Sequence, residues 1–315
     1  MSKGAVLVTG ANGFVGRAVC RHLRENGWPV LAAVRPGRPV PEGCEARIAP
    51  DLSPDADWRA ALAGASYVIH SAARVHQMGE SPELAWEAHR KANLDGTLTL
   101  ARQAAEAGVK RFVFVSTAKV MGEHNPPDHP FADQDPPNPQ DPYAHSKWQA
   151  EQALLALPGL ETAILRPPLV YGAGATANLE SLMRLIMKGV PLPFGGVDNR
   201  RSLVSASNLA HALALLLIHP AAAGKSFLVK DLDVSTPGLI RQLAQALDRP
   251  ARLLFVPVGL LTWGARLLGK RDLAERVLGS LEIDDSHLRQ TLGWTPAFDP
   301  AQEMARMAKA FTQDL

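Results

Sequence analysis

The sequence predicts an α/β fold, a doubly wound parallel sheet with a smaller, discontinuous lobe, from three observations. Apolar, Val- and Leu-rich runs alternate with segments of helical periodicity through the first half, and a glycine-rich turn joins the first strand to the first helix. Beyond Pro167 the alternation weakens, which marks the lobe. Strand–helix–strand crossovers of this kind imply a Rossmann-like sheet covered on both faces.

Ala5 to Thr9 is the first expected strand, and Arg17 to Asn26 repeats apolar residues at helical spacing. Between them lies Thr9-Gly10-Ala11-Asn12-Gly13-Phe14-Val15-Gly16. Gly10, Gly13 and Gly16 permit the turn, let a pyrophosphate approach the backbone and allow close helix-to-strand packing, while the helix N-terminus favours an anion. Asn12, Phe14 and Val15 share that turn, so the whole segment is expected to bind a dinucleotide. The second strand, Val30 to Val34, ends on Val34-Arg35, where an acid normally receives the ribose hydroxyls of NAD. Arg35, with Arg17 beyond the turn, can instead meet the extra phosphate of NADP, which slightly favours NADPH; otherwise both arginines are solvated.

Further strands are expected at Ala46 to Ala49, Tyr67 to His70, Arg111 to Ser116 and Glu161 to Arg166, with helices at Trp58 to Leu62 and Leu94 to Glu106. Past Pro167, Asn178 to Lys188 and Asn208 to Ile218 read as helices and Lys225 to Val229 as a strand returning to the sheet. Pro237 to Leu247 reads as a helix capped by Ser235 or Thr236. The expected division is residues 1–167 with about 201–229 for the dinucleotide, about 168–200 and 230–298 for the substrate lobe, and 299–315 as a C-terminal helix. The proline-rich stretch Glu123 to Pro142 is expected to be a rigid rim beside the site.

At 315 residues with a formal charge of +2, and with no long basic run, the chain gives no reason to expect a nucleic-acid partner. Cys20 and Cys44 stand apart from any metal-like cluster, which suits a reducing compartment. The chain enters its first strand almost at once, so cytoplasmic residence is expected. Ala210 to Ile218 is too short to span a bilayer, and Leu253 to Leu268 is broken by Pro257, Gly259, Gly264 and Arg266. Packing in the core or lobe is expected for both, with peripheral membrane contact the alternative for the second. His70 and His76 lack a third ligand at persuasive spacing, so no metal is expected.

Tyr143 and Lys147 are one helical turn apart and share a face. A tyrosine titrates near about 10, and a neighbouring ammonium stabilises its phenolate, so the pair suits proton exchange with a substrate oxygen.

These motifs, in this order, resemble the extended short-chain dehydrogenase/reductase family, above all bacterial nucleotide-sugar 4-epimerases and 4-ketosugar reductases. Asp51-Leu52, His70-Ser71-Ala72-Ala73-Arg74-Val75-His76, Asn93, Val115-Ser116-Thr117-Ala118, Tyr143 to Lys147, Arg166-Pro167-Pro168-Leu169-Val170-Tyr171-Gly172 and Arg201-Ser202-Leu203-Val204 carry the likeness. The resemblance implies that Thr117, with Ser116 beside it, orients the sugar C4 oxygen, and that Lys147 also holds the cofactor ribose. It assigns Asp51 and Leu52 to the adenine side, Ser71, Ala72, Ala73, Arg74 and Pro167 to cofactor contacts, and His76 to the active-site mouth. Asn93 either holds the active-site backbone or is an ordinary helix N-cap. Arg201 corresponds to an arginine for the substrate pyrophosphate, Asn178 to a nucleotide contact, and Arg276 or Arg271 to a further phosphate ligand. Met121 replaces a frequent family tyrosine.

The expected reaction is reduction of the C4 ketone of a UDP- or dTDP-linked 4-keto-6-deoxy sugar. The alternatives are an NAD-retaining UDP-sugar 4-epimerase and a catalytically idle nucleotide-binding regulator. A 4,6-dehydratase is disfavoured because Ala118 and Lys119 stand where its Asp-Glu pair belongs. Related proteins commonly pair as homodimers, which is the expectation here.

Overall fold

The computed structural model describes residues 3–75, 82–126, 128–175, 178–267, 269 and 277–313. Its first half alternates β1 (Ala5–Thr9), α1 (Phe14–Glu25), β2 (Val30–Val34), β3 (Glu45–Ile48), α2 (Arg59–Leu62), β4 (Ala65–His70) and α3 (Pro82–His89). A π-helical segment, Arg90–Gly96, leads into α4 (Thr97–Glu106), followed by β5 (Arg111–Val115), α5 (Pro142–Leu155) and β6 (Glu161–Arg166). Thus the helix expected over Leu94 to Glu106 begins inside a wider π turn, and Trp58 caps α2 rather than joining it.

Side chains alternate across each strand, so one run of apolar residues feeds two cores. Val6, Val8, Ala32 and Val113 pack on one face with α1 and α7 (Ala206–Ile218), while Leu7, Leu31, Val68 and Phe112 pack on the other with α4 and α5. With β9 (Lys225–Leu228), the strands form a seven-stranded parallel sheet of order β3-β2-β1-β4-β5-β6-β9. The order reverses between β1 and β4, whose ends meet at Thr9 and His70. Crevices outside the carboxyl ends of strands at such a reversal are where doubly wound folds take ligands.

A second sheet holds β7 (Leu169–Tyr171), β8 (Arg201–Ser205) and β10 (Leu232–Val234) in the order β10-β8-β7. The strand at Arg201–Ser205, expected with the dinucleotide-binding part, is therefore hydrogen-bonded in the small sheet, whereas Lys225–Leu228 closes the large one as expected. Tyr171, Leu203, α6 (Asn178–Met187), α8 (Thr236–Ala246) and the C-terminal helix Pro300–Gln313 share a core there. Ser235 is the cap of α8, its hydroxyl accepting the Gly238 N–H at 3.1 Å.

The two apolar stretches part company. Ala210, Leu213, Leu216 and Leu217 are fully buried in α7, but α9 (Val258–Leu267) contains no buried residue, contrary to the packing expected of it. No helix among the described residues is long and apolar enough to cross a membrane.

Candidate active site

At the end of β1 the chain turns through Gly10 at φ +65, in the left-handed region, and a Cβ there would lie 2.9 Å from the Ala72 backbone nitrogen. A Cβ on Gly16 would lie 2.0 Å from the Gly10 carbonyl oxygen, so the turn and the first turn of α1 require glycine. Gly13 caps α1 without a side-chain bond, and no acid occupies its first turn. The N–H groups around Phe14, Val15 and Gly16 therefore face outward beside a favourable dipole, a cradle that fits a dinucleotide pyrophosphate.

Arg17 is exposed and donates to the Asn12 carbonyl at 3.0 Å. Arg35 is exposed directly after the buried Val34, so β2 ends without an acid. Asp51 is exposed and Leu52 half-buried; the π-helical segment touches this loop so closely that a Cβ on Gly96 would lie 2.8 Å from the Leu52 carbonyl carbon.

The loop after β4 is tied to its surroundings residue by residue. Ser71 donates to the Thr9 carbonyl at 2.7 Å, and the Ala72 N–H to the Thr9 hydroxyl at 3.3 Å. Asn93 is buried inside the π-helical segment rather than capping a helix. Its Oδ1 accepts the Arg74 N–H at 2.8 Å, and its Nδ2 donates to the Arg74 carbonyl and the Ser146 hydroxyl, both at 3.0 Å. Ser146 donates in turn to the Tyr143 carbonyl at 2.8 Å, so Asn93 clamps the β4 loop, with Ala73 in it, to the helix bearing Tyr143 and Lys147.

That helix starts where local chemistry dictates: Asp141 caps it, accepting the Ala144 N–H at 2.6 Å, and Pro142 begins its first turn. Burial, together with the nearby Asp141 charge, pushes the Tyr143 phenol up to about 12. Lys147 is buried with its Nζ 3.8 Å from the centre of the Phe114 ring. Burial lowers its ammonium to about 7, partly opposed by Glu151. At the end of β5, Ser116 is buried with its hydroxyl unpartnered, whereas the Thr117 hydroxyl accepts the Lys119 N–H at 3.3 Å and keeps its own proton to donate. The Ala118 N–H reaches the carbonyl of buried Pro167 at 2.8 Å, which continues the β5–β6 alignment past the strand ends.

The lobe residues are less gathered. Arg201 is partly buried, which lowers its guanidinium, and it donates to the Gly279 carbonyl at 2.9 Å. Asn178 is exposed at the start of α6. His76, Arg271 and Arg276 lie outside the described residues.

Sequence reasoning missed several supports. Thr9 and Thr97 hydroxyls engage both nitrogens of buried His70 at 2.6 and 3.0 Å, and burial and the Lys147 charge lower that imidazole to about 3, keeping it neutral. Arg166 pairs with Glu151 at 2.6 Å in the interior and donates to the Met121 sulfur at 3.3 Å, so Met121 serves packing. Lys119 pairs with both Asp141 and Glu123. The Asp-Pro step before Tyr143 and the turn separating Glu151 from Lys147 were the available signals.

The model of the NAD dependent epimerase/dehydratase family matches residues 6–229. A Vibrio cholerae protein named UDP-glucose 4-epimerase is 40% identical, covering 98% of this chain and 96% of its own. A 2-alkyl-3-oxoalkanoate reductase of Stenotrophomonas maltophilia is 30% identical over 78% of this chain and 76% of its own. Among solved structures, MoeE5 in complex with UDP-glucuronic acid and NAD superposes with a TM-score of 0.77 at 25% identity, covering 99% of this chain and 100% of the other. The glycine turn, the switch point and the Tyr143–Lys147 helix all fall within the matched region, and the chain belongs to the NAD dependent epimerase/dehydratase family.

Proposed function

We propose that the chain is a UDP-sugar 4-epimerase. The observation that carries this reading is the 40% identity to the UDP-glucose 4-epimerase, because it spans 98% of the chain and so includes the substrate lobe, which the reductase relative matches less completely. Arg35 by itself points to a reductase, but similarity over 98% of the chain outweighs one exposed side chain.

The residues of the glycine turn, with Asp51, Ser71 and Lys147, would hold the dinucleotide. Its nicotinamide, when bound, supplies hydride acceptance and return at C4 of the sugar. Tyr143 takes the C4 hydroxyl proton as the ketone forms and gives it back after the sugar turns over. A phenol pushed up to about 12 resists this role, and Lys147, one turn away, would favour the phenolate in its ammonium form. The hydroxyls of Ser116 and Thr117 donate to the oxygen on which charge develops, in a site already ordered by Asn93. Arg201 would meet the substrate pyrophosphate with its guanidinium fork. The setting is a cytoplasmic homodimer.

The second reading is reduction of a UDP- or dTDP-4-keto-6-deoxy sugar with exchanging NADPH, favoured by Arg35 after an acid-free β2. Purified protein is incubated with UDP-glucose and UDP-N-acetylglucosamine plus catalytic NAD, and separately with a UDP-4-keto-6-deoxy-N-acetylhexosamine plus NADPH. Equilibration of C4 epimers without net cofactor consumption is expected. Stoichiometric NADPH loss with a 4-hydroxy product would instead make it a reductase, and binding without turnover of any of these would make it a nucleotide-binding regulator.

A further inference from the structure

The surface from Leu254 to Leu267 presents large apolar side chains to solvent: Phe255 is 78% exposed, Leu260 58%, Trp263 63% and Leu267 67%. Soluble proteins rarely leave such side chains clustered without a partner. The start of this segment is held by the lobe, since the Leu192 N–H donates to the Arg252 carbonyl at 2.8 Å, and the Leu254 N–H to the Leu192 carbonyl at 2.9 Å. The Gly195 N–H reaches the Leu254 carbonyl at 2.9 Å, so Leu254 and Phe255 project from anchored backbone.

Along this segment basic residues outnumber acids, with Asp248 at its edge and Asp198 on the neighbouring loop. From 249 to 267 the sequence carries Arg249, Arg252 and Arg266 and no Asp or Glu, and all three arginines are exposed. Arg252 donates to the Gly189 carbonyl, a neutral acceptor, whereas Arg249 donates to the carbonyl of its acidic neighbour Asp248, so Arg252 and Arg266 carry the basic character of the face. A second copy of the chain, meeting this face through a twofold axis, would set arginines against arginines. A bilayer with anionic headgroups offers phosphates to the arginines and an interfacial layer suited to Trp, Phe and Leu.

We propose that residues 254–267 seat the protein on an anionic phospholipid surface, with Phe255, Leu260, Trp263 and Leu267 entering at headgroup level and Arg252 and Arg266 meeting lipid phosphates. This inference is independent of which C4 reaction the site performs.

The test is flotation of the full chain with vesicles of phosphatidylglycerol and phosphatidylethanolamine, and with vesicles of phosphatidylcholine alone. The protein is expected to float with the anionic vesicles and to bind the neutral ones about tenfold more weakly or less. The F255S/W263S/L267S variant should lose binding to both, and R252Q/R266Q should lose the anionic preference, while both keep wild-type dinucleotide binding as proof of folding. Wild-type protein that stays unbound with anionic vesicles overturns the proposal, as does a triple-serine variant that floats as well as wild type. A triple-serine variant of smaller sedimenting mass than wild type would assign the face to a second copy instead.

Discussion

Tyr143 works against its own environment. Burial and the Asp141 carboxylate push its phenol up to about 12, and Lys119 pairs with that carboxylate and with Glu123. Lys119 thereby mutes the charge that opposes phenolate formation. Lys119→Gln is expected to raise the phenol further and move the rising limb of the pH–kcat profile alkaline by about one unit, with Lys119→Arg restoring it. An unmoved limb would mean that Asp141 is not felt at Tyr143. Tyr143→Phe is expected to lower kcat by about a hundredfold to ten-thousandfold while the dinucleotide dissociation constant, followed by calorimetry, stays near wild type. Equal loss of both would make the tyrosine structural.

Among the elements, α5 holds Tyr143 and Lys147 over a strongly polar interior. Ser146, Lys147 and Glu151 are buried on it, and Glu151 meets Arg166 of β6 with side chains 0% and 5% exposed. Removing one partner of such a pair strands a buried charge, so Glu151→Leu is expected to cost about 3–5 kcal/mol in urea unfolding. The double variant Glu151→Leu/Arg166→Met should recover most of that loss, because two apolar groups need no compensation. Failure to recover would show that Arg166 also matters through Met121, whose sulfur it contacts at 3.3 Å.

Across the whole molecule, Asp133 joins three distant parts of the chain. Its Oδ1 accepts the Leu228 N–H of β9 at 2.9 Å, and its Oδ2 faces His287 Nδ1 at 3.2 Å on helix Ser286–Leu292. Burial, opposed by Arg166 and His287, pushes the carboxyl up from 3.8 to about 6. A folded pKa above the unfolded one means that the native state binds the extra proton, so this stability is complete below about 3.8 and is lost as pH rises through about 6. Asp133→Asn, which stays neutral, is therefore expected to raise Tm at pH 8 and to leave it unchanged below pH 4. His70 acts oppositely: its pKa is lowered from 6.5 to about 3, so its contribution is present above 6.5 and lost as pH falls toward 3. A Tm difference between Asp133→Asn and wild type that does not vary with pH would separate Asp133 from this linkage.

The strands of the large sheet, the glycine turn and the Tyr143–Lys147 face were legible because each depends on spacing within one element, where backbone geometry repeats every two or 3.6 residues. The Asn93 clamp was half legible: the residue was singled out, but its partners Arg74 and Ser146 lie 19 and 53 residues away. No local pattern announced that Arg201–Ser205 would join a small sheet, that Glu151 would find Arg166, or that α9 would face outward with every side chain at least partly exposed. By itself, then, the sequence determined the doubly wound class, the glycine turn at its switch point and the shared helical face of Tyr143 and Lys147. Only the tertiary structure decided which buried charges are paired, what shifts Tyr143 and Lys147, and which apolar helix goes uncovered, because those depend on crossovers that bring remote segments together and on the water they exclude.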